Sequence, residues 1–260
     1  MLNTIDLKEI ISIAKEAGNA IMKIYNKDFT VAYKDDHSPL TIADTTSNEI
    51  ICTALSKLYP EIPIMSEENQ QIDYETRKKW EYYWCIDPID GTKEFIRKNG
   101  EFTVNIALIH RNKPVLGVVY APAINEMYAA KQGEGAFKLV FNEQSFVVSE
   151  ERLPISHKRD ELVVVASKSH LTSETQDFID KLTTNNQRLT TISKGSSLKL
   201  CMVAEGLADI YPRLAPTMEW DTAAADAIVR ESGKLVYNYD SNQPLAYNKK
   251  ELLNPWFIVK

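Results

Sequence analysis

Two aspartates three residues apart, Asp87 and Asp90, enclose Pro88 and Ile89 and run straight into Gly91-Thr92 in the string WCIDPIDGTKEF, residues 84–95. The run EYYWCI before them is aromatic and apolar, which predicts a buried strand that stops where Asp87 begins. Pro88 has no N–H for a sheet ladder and biases its predecessor away from the helical region. The backbone is therefore expected to turn out of the sheet and bring both carboxylates round. Gly91 tolerates an unusual backbone conformation, and Thr92 is a good N-cap for a short helix over KEFIRK. Such a helix start offers N–H groups and a positive dipole end to a phosphate.

Three further places put carboxylates at element ends: Asp44 beside Thr41, the pair Glu67-Glu68 after IPIMS, and Asp221 in EWDTAAADAIV, where it is a plausible helix N-cap. Each alone has a plain explanation as a cap or a solvated face. Together with the carbonyl between Asp87 and Asp90 they form a set of hard oxygen donors of the kind magnesium prefers. Clustered carboxylates raise one another's pKa unless a cation holds them. Two or three Mg2+ ions would both need this cluster and stabilise it, and paired metals can activate water against a phosphate ester.

The elements that must position these groups can be read from periodicity. Ile10, Ala14, Ala17, Ile21 and Ile24 recur at helical spacing, giving an amphipathic helix over about residues 6 to 26. FTVAYK reads as a strand, and a second helix begins at Thr41 to Asp44 and ends at Pro60. IPIMS is a short strand, and the polar stretch Gln70 to Lys79 a surface loop or flap. FTVNIALIHRNKPVLGVVYAPAINEMYAA gives three strands joined by turns, a meander, so the first half is a largely antiparallel sheet with helices packed on it. In the second half ELVVVASKS, RLTTI, LADIYPR and KLVY read as strands alternating with helices over SETQDFIDKLTT, SSLKLCMVAEG and EWDTAAADAIVRESG. The expected organisation is a mixed α/β (α+β) fold in two closely packed lobes. Residues 1–155 would carry most of the carboxylates, and residues 156–260 would carry Asp221 and a substrate pocket, with the boundary near EERLPISHKRD.

At 260 residues, 44% hydrophobic and 25% charged, the chain can bury a substantial core. Its net charge of −6 argues against general nucleic-acid binding. Cys52, Cys85 and Cys201 lie far apart in apolar settings, like buried free thiols, and point to a reducing cytoplasm. The amphipathic N-terminus is not a signal peptide, and no apolar run approaches a membrane span. Peripheral contact with the inner membrane is left open. So is oligomeric state, for which a monomer is the default.

SEEN, then DPIDGT, then EWDTAA, in that order, resemble the inositol monophosphatase superfamily of Mg2+-dependent, lithium-sensitive phosphatases, and the likeness covers nearly the whole chain. The longer string DPIDGTKEFIRKNGEFTVNIALIHRNKPVLGVVYAPA, with Lys93 directly after DPIDGT, is most similar to the 3'(2'),5'-bisphosphate nucleotidase branch. The resemblance implies a five-layer αβαβα fold and metal ligation by Glu67, Asp87, the Ile89 carbonyl, Asp90 and Asp221. It implies that Asp44 and Thr92, with Glu67, are catalytic, the first two orienting and deprotonating the attacking water, and that the N–H groups of Gly91 and Thr92 hold the phosphate. In SKGSSLKLCMVAEGLADIYPRLAP, Ser196, Lys199 and Arg213 match positions that would take the other phosphate and the ribose, and His170 is a weaker candidate for the nucleotide pocket. The implied substrate is adenosine 3',5'-bisphosphate, cleaved to AMP, together with its 5'-phosphosulfate counterpart, within sulfur metabolism. An inositol or sugar phosphatase and a non-catalytic metabolite sensor are the alternatives. Ala225 departs from the family's common Gly after WDTAA, with tighter helix packing or an altered pocket edge as the expected consequence.

Overall fold

The computed structural model describes residues 1–33, 39–142, 144, 147–155, 159–167, 172–182 and 188–260. Helix α1 (Leu7–Tyr25) starts at Asp6, whose Oδ1 accepts the Lys8 N–H at 2.9 Å. Its buried stripe holds Ile10, Ala14, Ala17 and Ile21, as the 3.6-residue period predicts, together with Ile13. A two-stranded ribbon of β1 (Val31–Tyr33) and β2 (Pro39–Thr41) leads into α2 (Ile42–Leu58). Then follow β3 (Ile64–Ser66), α3 (Tyr74–Arg77), β4 (Tyr82–Asp90) and α4 (Thr92–Ile96). Strands β5 (Thr103–His110), β6 (Lys113–Ala121), β7 (Glu126–Lys131), β8 (Gly135–Phe141) and β9 (Val147–Arg152) complete the meander.

Strands β3 to β9 form one seven-stranded sheet in sequence order, antiparallel throughout except for the parallel pair β3–β4. Alternation along the central strands divides two cores. Trp84, Ile86, Val104, Ile106 and Leu108 face α1 and α2. Tyr83, Cys85, Ala107 and Ile109 face the opposite way, toward α6 (Leu198–Glu205) and α7 (Glu219–Glu231). This second core draws on both halves of the chain.

Before and after α6 run β10 (Glu161–Ser167), α5 (Ser173–Leu182), β11 (Arg188–Lys194) and β12 (Tyr211–Arg213); β13 (Val236–Asn238) and β14 (Phe257–Val259) come last. β10 pairs with β11 in parallel, β14 lies between β12 and β13, and a parallel bridge from Val164 to Ile210 links the two small sheets. Val163 and Val165 face α6, whereas Val164 and Ala166 face α5 through Ile179. Helix pair, sheet, helix pair, second sheet and helix thus stack as the five αβαβα layers.

Several local readings change, and β2, β8 and β9 are strands that the sequence reading does not assign. β4 does not stop at Asp87 but continues to Asp90, because β5 pairs with it on both sides of Pro88. The stretch Gln70 to Lys79 is more than loop: it contains α3, and Arg77 is buried there, donating to Asn248 Oδ1 at 2.9 Å and to the Lys250 carbonyl at 2.8 Å. Phe257–Val259, to which the sequence reading assigns no strand, is the middle strand of its sheet. No helix among the described residues is long and apolar enough to cross a membrane.

Candidate active site

Asp87 continues the alternation of Tyr83 and Cys85, so its side chain belongs to the face that α7 covers, and it is 1% exposed. Between Asp87, opposite Asn105, and Asp90, opposite Thr103, β4 has one residue more than β5, a bulge that accommodates the missing N–H of Pro88. Within it Ile89 N–H donates to Asp87 Oδ1 at 3.1 Å and Ser47 Oγ donates to the Pro88 carbonyl at 2.9 Å. Gly91 then adopts φ 92°, where a Cβ would lie 3.2 Å from the Glu101 carbonyl oxygen. Gly91, not Thr92, occupies the N-cap position of α4, and Thr92 is its first residue. Released from capping, the Thr92 hydroxyl lies 3.2 Å from Asp44 Oδ1 and 3.3 Å from the Ile89 carbonyl oxygen.

Asp44 and Asp221 are each the third residue of a helix, α2 and α7. Asp44 Oδ2 accepts both the N–H and the hydroxyl of Thr41 at 2.7 Å. Asp221 Oδ2 accepts the N–H of Met218 at 2.9 Å, so the cap position of α7 is Met218, and Asp221 reaches back to it from within the helix. Glu67 follows β3 directly, its N–H on the Ile86 carbonyl at 3.1 Å. Glu67, Asp87 and Asp221 each offer a carboxylate oxygen within 4.8 Å of the others. Asp90 joins them through Ser197, whose Oγ is 2.8 Å from Asp90 Oδ2.

Burial and mutual repulsion raise the proton affinity of this group. Asp87 is held well above the ordinary carboxylate range, first by burial and then by Glu67, Asp90 and Asp221. Asp221 is pushed up to about 8 by burial and by Asp90. Asp44 is raised by burial against the opposing bonds from Thr41 and Thr92, and Asp90 by burial against the nearby Lys199. All-oxygen donors, crowded and partly desolvated, fit a hard divalent cation.

A cleft of about 410 Å³ opens beside the carboxylates. Glu67, Asp90, Gly91, Thr92 and Asp221 line it, and so do Ser196, Lys199 and Arg213. Lys199 is buried in α6 and donates to the Ser196 carbonyl at 2.6 Å. Desolvation lowers its pKa to about 8 despite Asp90. Ser196 has φ 47°, and its buried Oγ, like the Nε of Arg213, has no hydrogen-bond partner among the described residues. Arg213 also donates from a terminal nitrogen to the Pro216 carbonyl at 3.0 Å. His170 lies outside the described residues. Ala225 is buried in the core behind α7 and does not line the cleft.

Sequence reasoning missed Tyr211, Phe257 and Ser197 in the cleft wall, and Asn105 behind it, which donates to Ser197. Asn105 carried a signal, a polar residue within the apolar run VNIALI. Ser197 carried none that set it apart from Ser196.

A model of the inositol monophosphatase family matches residues 6–256. The chain belongs to that family. Among its relatives, the 3'(2'),5'-bisphosphate nucleotidase CysQ of Escherichia coli K12 is 43% identical over 256 residues, spanning 97% of this chain and 98% of the relative. The protein of the same name from Aggregatibacter actinomycetemcomitans is 36% identical over 260 residues, 100% of this chain and 94% of the relative. The crystal structure of CysQ from Bacteroides thetaiotaomicron, described as a bacterial member of the family, superposes with a TM-score of 0.87 at 45% identity, covering 98% of this chain and 96% of that one. An IMPase from Thermotoga maritima gives 0.76 at 26% identity, with 98% and 91% covered.

Proposed function

We propose that the protein is a Mg2+-dependent 3'(2'),5'-bisphosphate nucleotidase that hydrolyses the 3'-phosphate of adenosine 3',5'-bisphosphate to give AMP and phosphate, and acts likewise on the 5'-phosphosulfate counterpart. The observation that carries this reading is a single cleft lined both by members of the crowded carboxylate group and by the two cations Lys199 and Arg213. The relatives named for this activity support it. Glu67, Asp87, the Ile89 carbonyl, Asp90 and Asp221 would hold two or three Mg2+ ions. Bound there, the ions supply neutralising charge for phosphate oxygens and acidify water.

The chain's own groups handle the proton and the substrate. Thr92 has one hydroxyl hydrogen and sits between Asp44 Oδ1 and the Ile89 carbonyl. When it donates to Asp44, its free lone pair accepts from the attacking water and aims that water at phosphorus. Asp44 Oδ2 is occupied by two donors from Thr41, which leaves Oδ1 as the proton acceptor. The raised pKa of Asp44 suits that role. A bond forms from the water oxygen to phosphorus as the bond to the ribose 3'-oxygen breaks. The water proton passes through Thr92 to Asp44, and solvent protonates the leaving oxygen. The N–H groups of Gly91 and Thr92 would steady the transferred phosphate, and the unpartnered Ser196 Oγ would meet the ribose.

Lys199 and Arg213 would meet the 5'-phosphate, which an inositol monophosphate lacks. A charge-assisted contact is worth about 1.5–3 kcal/mol, so the second phosphate is expected to favour the bisphosphate by roughly one to two powers of ten. The test compares kcat/KM for adenosine 3',5'-bisphosphate, 3'-AMP and inositol 1-phosphate in wild type and Arg213→Ala. Should inositol 1-phosphate be the best substrate, or Arg213→Ala weaken all three equally, the inositol phosphatase reading replaces this one. The three free cysteines, two of them buried, support a reducing cytoplasm as the compartment.

A further inference from the structure

Ser197 precedes α6, is 1% exposed, and its hydroxyl is the meeting point of four segments. It accepts from Asn105 Nδ2 of β5 at 2.8 Å, and it lies 2.8 Å from Asp90 Oδ2 at the end of β4 and 2.7 Å from the Asp221 carbonyl oxygen in the first turn of α7. A serine at a helix N-cap ordinarily turns its hydroxyl onto the N–H of the second or third helical residue. Ser197 makes no such bond, and its backbone is helical, with φ −65° and ψ −9°. The hydroxyl is diverted from capping α6 to bridging two other elements. Its single hydrogen serves the two acceptors, while the amide of the buried Asn105 occupies a lone pair and fixes the oxygen in place.

We propose that Ser197 is a positioning residue for the metal site, its hydroxyl, anchored by Asn105, setting the Asp90 carboxylate against the first turn of α7 that carries Asp221. This rests on the metal reading above. Asp90 and Asp221 come from distant parts of the chain, and Ser197 contacts both residues at once. Groups that hydrogen-bond ligating carboxylates fix their orientation, and their loss weakens metal affinity even though they touch no metal.

The test reads metal binding directly, by titrating Mn2+ into the full chain and following the free ion by electron paramagnetic resonance. Ser197→Ala is expected to weaken Mn2+ binding by about ten- to a hundredfold, while KM for adenosine 3',5'-bisphosphate at saturating metal stays within about twofold of wild type. Ser232→Ala is the structural control. Ser232 is also a buried serine, its hydroxyl donating to the Val229 carbonyl at 2.8 Å at the far end of α7, and its loss is expected to leave Mn2+ affinity unchanged. If Ser197→Ala binds Mn2+ as tightly as Ser232→Ala, the proposal is overturned. Should Ser197→Ala not fold, Asn105→Ala decides, since it frees the hydroxyl from its anchor: weakened Mn2+ binding upholds the proposal and wild-type affinity overturns it. A wild-type protein that binds no Mn2+ brings down the metal reading itself, and the proposal with it, which separates that failure from failure of the proposal alone.

Discussion

Asp44 and Asp221 solve one problem in the same way. Each stands at the third position of its helix and gives one oxygen to the backbone N–H of the residue before the helix, leaving the other for further chemistry. For Asp44 that second oxygen meets Thr92, a threonine freed from capping by the left-handed Gly91. Thr92→Ala removes the relay without touching a carboxylate. It is expected to lower kcat by a factor on the order of 10² to 10³ while Mg2+ affinity stays within about twofold. Calorimetric titration checks this: lost Mg2+ affinity in that variant would move Thr92 into the metal shell. At this scale much of the site was legible, because carboxylates and DPIDGT declare their chemistry by residue type. Ser197 and Tyr211 were not legible, because a hydroxyl or a ring becomes part of a site only through what other segments bring against it.

Helix α7 carries Asp221, and its depth on the large sheet is set by small residues. A Cβ at Gly117 of β6 would lie 2.1 Å from the Ala224 carbonyl oxygen and 2.9 Å from the Ala227 side chain, so the helix backbone rests directly on the strand. Gly117→Ala must therefore lift α7 or bend β6. Overpacking of this kind costs about 1–3 kcal/mol, and for a chain of this size each 1 kcal/mol lowers Tm by roughly 2–4 °C. The expected result is a Tm lower by about 2–12 °C together with weaker Mg2+ binding, because Asp221 moves with its helix. Calorimetry with and without Mg2+ separates the effects, and a lower Tm at unchanged Mg2+ affinity would show that helix depth does not position Asp221. The sequence displayed α7 itself through its alanine run, but not the glycine beneath it, since contact across layers leaves no local pattern. The β4 bulge was hidden for a related reason. Pro88 announces a break in the ladder, yet only the pairing of β5 on both sides reveals that the strand resumes.

Across the whole molecule the layers bring α2, β3, β4 and α7 to one place, and with them more negative charge than burial favours. The mixed architecture followed from periodicity, and the five-layer order from the family resemblance; both agree with the stacked sheets and helices. The middle strand β14 escaped because three residues after a long irregular stretch carry too little pattern. Convergence of the carboxylates makes stability depend on pH and metal together. The folded-state pKa of Asp221 is raised to about 8, above its ordinary value near 4, and Asp87 shifts in the same direction. A group raised on folding contributes stability that is fully present below its unfolded pKa and lost as pH rises through the folded one, so the metal-free protein should lose thermal stability between about pH 4 and about pH 8. Mg2+ needs the deprotonated carboxylates and releases their protons on binding. Its apparent affinity should therefore rise by up to about tenfold per pH unit for each proton displaced, the contribution of Asp221 levelling off above about pH 8. Melting curves in EDTA and in Mg2+ across that range measure both effects, with the stabilisation by Mg2+ growing as the stability of the EDTA sample falls. A Mg2+ stabilisation that is flat or shrinking with pH would mean that these carboxylates are already ionised in the folded protein, and that the crowding does not hold their protons.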